Sequence, residues 1–520
     1  MKNNNKFKTA VKFTLAASSA IAIVSASAYL AVFRPVLPSS AFEKSDHAER
    51  IGNVSLTSYC PAQMTLADDE QYGDSAFIAD EGDLKSSGRV IAAGNAASSI
   101  FSDISGSKSK FLANNSLGSY DSRKIGILAD SWKDSGGIVK TDFSENSDNA
   151  TVSGALVSYA GQGDLKGLSA ASCFQTAVRQ NILIPSSAVG YSHQLVIANP
   201  SDKSAAVHIS AHGTSSSEPL ALAVNASVAV AARSERVVNL SAAVGEQDGS
   251  FVTIDGGMIP IAASVRTIRM DGLTSKGSEY ALPAAELSKT AIIPAVKSGI
   301  STKLELYSEE DAKASVHWVS SSGMTDVKTV ILEGGKVKIE DLGTVPDNAE
   351  AICITSTEKM TAQAIQEKND ERNDDFALIP AVNAGKTWSA AIPDETSAFM
   401  KIVNARANSK ISVKINGYNS NGEQTGEKTV ILEGGFAFGF RPEDIGRDCV
   451  AFIAEAENAS DKTAQNSGSS KAQQSEPKIT LSAILEPESS DFSGISFLSG
   501  SSANSSLTEL HAKRSLTVFN

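Results

Sequence analysis

The octapeptide KTVILEGG occupies residues 328–335 and recurs at residues 428–435, 100 residues further on. An identity of that length at a domain-sized interval indicates duplicated structural units. The flanks repeat with it. Residues 303–307 match 400–404 in alternating strand character, 314–318 match 411–415, and 351–354 match 448–451. Each unit then closes on a further apolar strand, at 361–365 and 479–485. A weaker copy precedes both, running from QLVIANP at 194–200 through 206–209, 228–240, 251–254 and 261–265. Its last two strands flank Asp255-Gly256, which reads as a hairpin turn because Gly accepts positive φ without a Cβ clash.

Three units are therefore expected, at residues 182–288, 289–384 and 385–490. Short apolar strands with Gly, Asn and Ser between them, and almost no helical periodicity, are the pattern of a two-sheet antiparallel sandwich. Within the third unit, residues 457–477 are rich in Ser, Gln, Asn, Lys and Ala, a composition that predicts a disordered insertion. Residues 491–520 read as a tail. Residues 50–181 carry plausible strands at 54–59, 89–93, 124–128 and 151–159, which predict a further, N-terminal β domain.

The leader sets location. Lys2, Lys6, Lys8 and Lys12 make residues 1–12 a cytoplasmic n-region, and residues 13–33 follow with no charge before Arg34 and Pro35. At 1.5 Å per residue that run spans about 30 Å, the thickness of a bilayer's hydrocarbon core. Residues 13–33 are expected to be a single transmembrane signal anchor, 34–49 a linker, and everything beyond extracytoplasmic under the positive-inside rule. The competing reading is a cleaved signal peptide, because Ala26-Ser27-Ala28 resembles a processing site. No Cys stands at the end of the run to carry a lipid. The expected fold class is thus all-β, an N-terminal transmembrane helix followed by tandem immunoglobulin-like antiparallel β-sandwich repeats set in a row.

At 520 residues the chain exceeds one ordinary core. Its formal net charge of -13 argues against a nucleic-acid partner, since polyanions are repelled. Of the four cysteines, Cys60 and Cys173 bracket the N-terminal domain and are expected to pair. A disulfide closing so long a loop stabilises by about 4 kcal/mol on the chain-entropy model. Cys353 and Cys449 fall at corresponding positions of successive repeats and are expected to be buried free thiols.

GDLKGLSAASC at 163–173 and LVIANPSDKSAAVHISAHG at 195–213 resemble an uncharacterised domain-of-unknown-function family of large secreted or membrane-anchored proteins of high-GC Gram-positive bacteria. In that family a signal anchor precedes a Cys-Pro segment, here Cys60-Pro61, then a small-residue Cys motif, here ending at Cys173, then sandwich repeats. The resemblance implies architecture and envelope location, and no activity.

No catalytic constellation or cofactor motif emerges. Residues 384–387 (AGKT) imitate the end of a phosphate-binding loop, but Pro380 stands where its first Gly belongs. His208 and His212 lack a third metal ligand nearby. Asp68, Asp69, Glu70, Asp74, Asp80, Glu81 and Asp83 lack the spacing of a calcium loop. Trp132, Trp318 and Trp388 are expected in cores rather than as sugar platforms. The sequence reading is a non-enzymatic, membrane-anchored envelope protein, a spacer whose partners are envelope proteins or wall polymer. The alternatives are a carbohydrate-binding module set and an envelope hydrolase.

Overall fold

A computed structural model describes residues 48–51, 55–66, 79–94, 96–114, 124–143, 150–223, 226–406, 409–459, 476–503 and 508–511. The expected anchor at 13–33 lies outside the described residues. Among them, no helix is long and apolar enough to cross a membrane. The chain divides into a body of residues 52–506 and a separate terminal part of residues 1–51 and 507–520. In the terminal part Ala48–Ile51 pairs antiparallel with Thr508–His511.

The two copies of KTVILEGG form the same piece of structure. Each ends the fourth strand of its unit, Gly323–Leu332 and Gln424–Leu432, paired in one register with the third strands Ala312–Ser320 and Ile411–Tyr418. Val330 opposes Ala314 and Val430 opposes Val413. Leu332 and Leu432 are buried while Ile331 and Ile431 between them and the valines are exposed, the period of two that a half-buried strand imposes. The glycine pair then turns the chain, with Gly335 and Gly435 at φ 76° and 74°.

The whole body repeats that plan four times. In each unit the first, sixth, third and fourth strands make one antiparallel sheet, and the fifth, second, seventh and eighth make the sheet facing it. In the second unit these are Arg179–Pro185, Gly249–Asp255, Ala205–His212 and Ser227–Val230, faced by Ser234–Asn239, Tyr191–Asn199, Ala262–Asp271 and Thr274–Ala281. The N-terminal region has the same order, from Ser55–Cys60 as first strand to Gly167–Ser172 as eighth, so it is a full fourth copy. Asn199 and Asn404 mark the end of the second strand in two copies. Each buried amide donates to carbonyls near the fourth strand's end, Val230 and Ala231 in one case and Leu432 and Glu433 in the other.

Three details depart from the sequence reading. The strands around Asp255-Gly256 belong to opposite sheets and not to a hairpin, because residues 256–261 carry the chain across the sandwich. In the third unit the expected strands 351–354 and 361–365 are one strand, Ala349–Lys368, which passes from one sheet into the other. The segment read as tail contributes Ser496–Ser499 as the eighth strand of the fourth unit, and its apolar Phe497 and Leu498 are buried. Most of the expected insertion, residues 460–475, lies outside the described residues.

The units do not stand in a row. Strands seven and eight are buried on both faces over most of their length, and apolar side chains on the face turned away from their own core enter the preceding unit's core. Ile365, Phe376 and Leu378 of the third unit lie in the core of the second. Ile484, Ile495 and Phe497 of the fourth lie in that of the third. Ala155, Val157, Leu168 and Ala170 of the first lie in that of the fourth, and Ile268, Tyr280 and Leu282 of the second pack on Met64 and Leu165 of the first. The four contacts close into a cycle, and the four eighth strands meet at its centre. Strands buried on both faces read as near-continuous apolar runs, which accounts for Phe376, Ala377, Leu378 and Ile379, whereas residues 167–172 meet the same burial with small residues.

Removing a buried Phe side chain costs about 3–5 kcal/mol. Phe376→Ala should therefore destabilise the second and third units together, seen as one urea transition shifted equally by circular dichroism and by the fluorescence of Trp132, Trp318 and Trp388, which sit in the first, third and fourth units. Two separated transitions would contradict the shared cores.

Candidate functional site

At the centre of the cycle two carboxyls are fully buried. Asp375, at the head of the third unit's eighth strand, accepts from the backbone N–H of Leu168 at 3.0 Å, Ile495 at 3.0 Å and Phe376 at 3.0 Å. Its donors come from the first, fourth and third units, and Gly277 of the second completes the circle. A Cβ on Gly277 would stand 2.3 Å from Asp375 Oδ1, and the residue's φ of +102° independently favours glycine. Glu279 accepts from the N–H of Ala170 at 3.0 Å and Tyr280 at 2.9 Å, and from the Ser496 hydroxyl. Burial pushes both carboxyls well above the usual carboxylate range, against the opposing pull of these donors. Every oxygen of this pair is engaged within the protein, so the centre is a fastening.

The junctions between units differ from one another in how their polar groups are matched. Between first and second units, Gln194 Nε2 donates to Leu66 O at 3.1 Å and Arg266 donates to Thr65 Oγ1 at 2.8 Å. Between fourth and first, the buried Arg89 donates to Asp394 at 2.6 Å and to Ile392 O. Between third and fourth, Lys297 pairs with Glu486 at 2.7 Å, and buried Lys401 pairs with Glu350. Between second and third, Arg269 of the seventh strand pairs at 2.9 Å with Glu367, which holds the position of Glu486 on its own seventh strand.

The counterpart of Lys401 at that second–third junction is Glu305. Both lie on the second strand, opposite Gln363 and Ser482 of the seventh in the same register. Glu305 is 0% exposed. Its Oε2 accepts from Gln363 Nε2 at 3.0 Å, while Oε1 has no hydrogen-bond partner among the described residues. Burial raises its carboxyl to about 8. Beside it opens a cavity of about 330 Å³, lined also by Ser186, Tyr191, Asp248, Arg269, Lys303 and Phe376. The Arg269 guanidinium lies 5.6 Å from the centre of the Tyr191 ring. The equivalent notch at the third–fourth junction, between Lys297, Phe399, Lys401 and Glu486, is about 200 Å³.

The residues singled out in the sequence fall elsewhere. Cys60 and Cys173 form a disulfide within the first unit's core, Cα–Cα 4.1 Å. Cys353 and Cys449 are free and apart, and burial raises the Cys353 thiol to about 11. His208 is exposed beside Ser227, whereas His212 bonds Gly335 O at 2.9 Å, so the two face different partners. Trp132, Trp318 and Trp388 are all buried. Asp68, Asp69, Glu70 and Asp74 lie outside the described residues, and Asp83 accepts from the N–H of Gly161 and Gln162. Residues 384–387 form no loop around a cavity, since Gly385 bridges to Ile479 and Thr387 begins a strand. Glu305 and Arg269 were missed. Each is a charged residue at an outward position of a strand that carries other polar residues, so it resembles a solvated position until the neighbouring unit is known to cover it.

The fold and these junctions define an all-β protein in which sandwich-like units of one topology share cores in a closed cycle. The chain belongs to the family of unknown function DUF5719, whose model matches residues 131–443. That stretch takes in the second and third units whole, and with them the Glu305 cavity. No curated protein matches the chain. Among solved structures, the Streptomyces avermitilis alpha-L-rhamnosidase complexed with L-rhamnose aligns at 8% identity with a TM-score of 0.11. The alignment covers 72% of this chain but only 54% of that one, and the likeness carries no argument.

Glu305 has a definite pH signature. Between its ordinary value of 4.5 and its folded value of about 8, the folded state holds a proton that the unfolded chain has released, so stability falls as pH rises through that window. Glu305→Gln removes this term. The urea midpoint of the variant should gain on the wild type steadily from pH 5 to pH 8 and level off above, and a constant difference across that range would show the carboxyl to be unperturbed.

Proposed function

We propose that this protein is a membrane-anchored, extracytoplasmic cell-envelope protein with a structural or binding role. On this reading residues 13–33 form the anchor, the sandwich units are immunoglobulin-like, and the protein's partners are envelope proteins or wall polymer. The single observation that carries the reading is the closed cycle of shared cores. It makes the described residues of the body one stiff unit, suited to presenting loops and unsuited to changing the distance between its parts. The Cys60–Cys173 disulfide supports placement outside the cytoplasm, where such bonds persist. Exposed apolar residues on adjoining turns, Val189 and Leu273, offer contact points at one edge of the second unit. The role is read as positional, without chemistry, because the buried carboxyls at the centre are all engaged in holding strands together.

The test is made in intact Gram-positive cells carrying the full chain. The protein should sediment with membranes, be digested by protease added outside, and take up two alkylating groups when denatured without reductant and four after reduction. A protease-protected chain in the soluble cytoplasmic fraction, with all four thiols alkylated before reduction, would contradict the proposal.

A further inference from the structure

At the third–fourth junction the fourth unit's second strand turns Ser397, Phe399 and Lys401 toward the third unit, at the alternate positions that share one face of a strand. Ser397 stands opposite Glu486 of the seventh strand and Phe399 opposite Ile484. On the other side Met400 pairs with Phe440 of the fifth strand, so the next residue, Arg441, falls beside Phe399 with its guanidinium 5.7 Å from the ring centre. Lys297 and Ser298 of the third unit complete the notch. The charges in and around it do not balance. Lys401 pairs with Glu350, while Lys297 and Lys368 share Glu486, one on each oxygen at 2.7 Å and 3.0 Å. The exposed Arg441 guanidinium has no ion pair among the described residues, since Asp444 accepts from the Arg441 backbone N–H instead, at 2.8 Å. Two positive charges are left over, one from the shared Glu486 and one from Arg441. Ser298 and Ser397 are exposed, and their hydroxyls make no hydrogen bond among the described residues. In the third unit the residue in the place of Arg441 is Asp341, opposite Lys303, so the excess belongs to this junction and not to the repeated plan.

We infer that the notch between the third and fourth units is a binding site for the phosphate group of a phosphate ester, held by the Arg441 guanidinium, the Lys297 ammonium and the Ser298 and Ser397 hydroxyls, with the ester's first carbons against Phe399. Three features select that class. The free groups are all hydrogen-bond donors, and a guanidinium's paired N–H groups occupy two oxygens of an oxyanion. A carboxylate is then used up, whereas a phosphate has further oxygens for the ammonium and the hydroxyls. Lys297 can serve while it holds Glu486, because that contact takes one of its three donors and its side chain is 35% exposed. The volume of about 200 Å³ is below the usual range for whole small-ligand sites, which suits one anionic group and a few carbons. Glu486 does not oppose the anion, since a lysine holds each of its oxygens. The chain's net charge of -13 is screened beyond a Debye length of about 10 Å, so the local excess decides. The inference is independent of where in the cell the body is held.

The test is phosphorus NMR on the full-length chain in micelles of a neutral, phosphate-free detergent, with inorganic phosphate, glycerol phosphate and dimethyl phosphate titrated separately. Inorganic phosphate and glycerol phosphate should show saturable line broadening, with glycerol phosphate the tighter. Binding of dimethyl phosphate as well would assign the site to a phosphodiester chain, and its failure to bind would assign it to a terminal monoester; both outcomes support the site. Arg441→Gln should weaken glycerol phosphate about tenfold, the loss of one charge-assisted paired contact. Lys297→Gln, which leaves Glu486 its second lysine, should weaken it severalfold. Arg447→Gln, an exposed cation further along the same segment and outside the notch, should leave it unaltered. The inference is overturned if neither inorganic phosphate nor glycerol phosphate saturates, if acetate displaces glycerol phosphate at equal concentration, if binding survives Arg441→Gln and Lys297→Gln together, or if Arg447→Gln weakens it as much as Arg441→Gln. Because the readout is a binding curve on purified protein, its failure is distinguishable from failure of the envelope placement, which is read in cells.

Discussion

The structure depends on strands seven and eight of each unit being buried on both faces. A sandwich that keeps its outer face polar can stand alone, but one whose last two strands are apolar on each side exposes a large greasy surface unless something covers it. Here the cover is the preceding unit in the cycle. Phe376 and Leu378 serve the second unit while Ala377 and Ile379, alternating with them along the same strand, serve the third. Period-two alternation, which in an open sheet separates core from solvent, here separates one core from another.

Closing the cycle brings four eighth strands to one place, and their polar groups must then be satisfied by each other. Asp375 and Glu279 do this, gathering backbone N–H groups from strands that are not paired in any sheet. The arrangement tolerates no side chain at Gly277, and it places two carboxyls where ionisation is disfavoured. Away from the centre each junction has its own polar fastening, and the differences between the fastenings break the fourfold likeness. The sandwich plan is repeated, whereas the charges at the seams are individual.

Much of this was legible in the residues. The duplicated octapeptide located two fourth strands in register, and the alternation around it placed their neighbours. The pairing of Cys60 with Cys173 followed from their position on either side of one domain. The run at 376–379 carries the mark of two-sided burial, but a continuous apolar strand looks the same whether its second cover is a helix, a membrane or another sandwich. The cycle therefore escaped notice, since it rests on contacts between residues as far apart as Leu168 and Leu498. Asp255-Gly256 misled for a related reason. Turn chemistry reports the local bend, not which sheet the chain enters next. The full likeness of the first unit to the others was hidden because its strands share topology with them and little sequence. Glu305 and Arg269 resembled ordinary surface charges until the neighbouring unit was in place.

The central claim is that no unit holds its core by itself. Hydrogen exchange followed by mass spectrometry on the intact chain tests it most directly, because amides protected by a shared core open only when the whole core opens. The account predicts that the four central strands, Gly167–Ser172, Thr274–Ala281, Asp375–Pro380 and Ser496–Ser499, exchange slowest and at one common rate. One of them exchanging orders of magnitude faster than the rest, with the others unaffected, would contradict it.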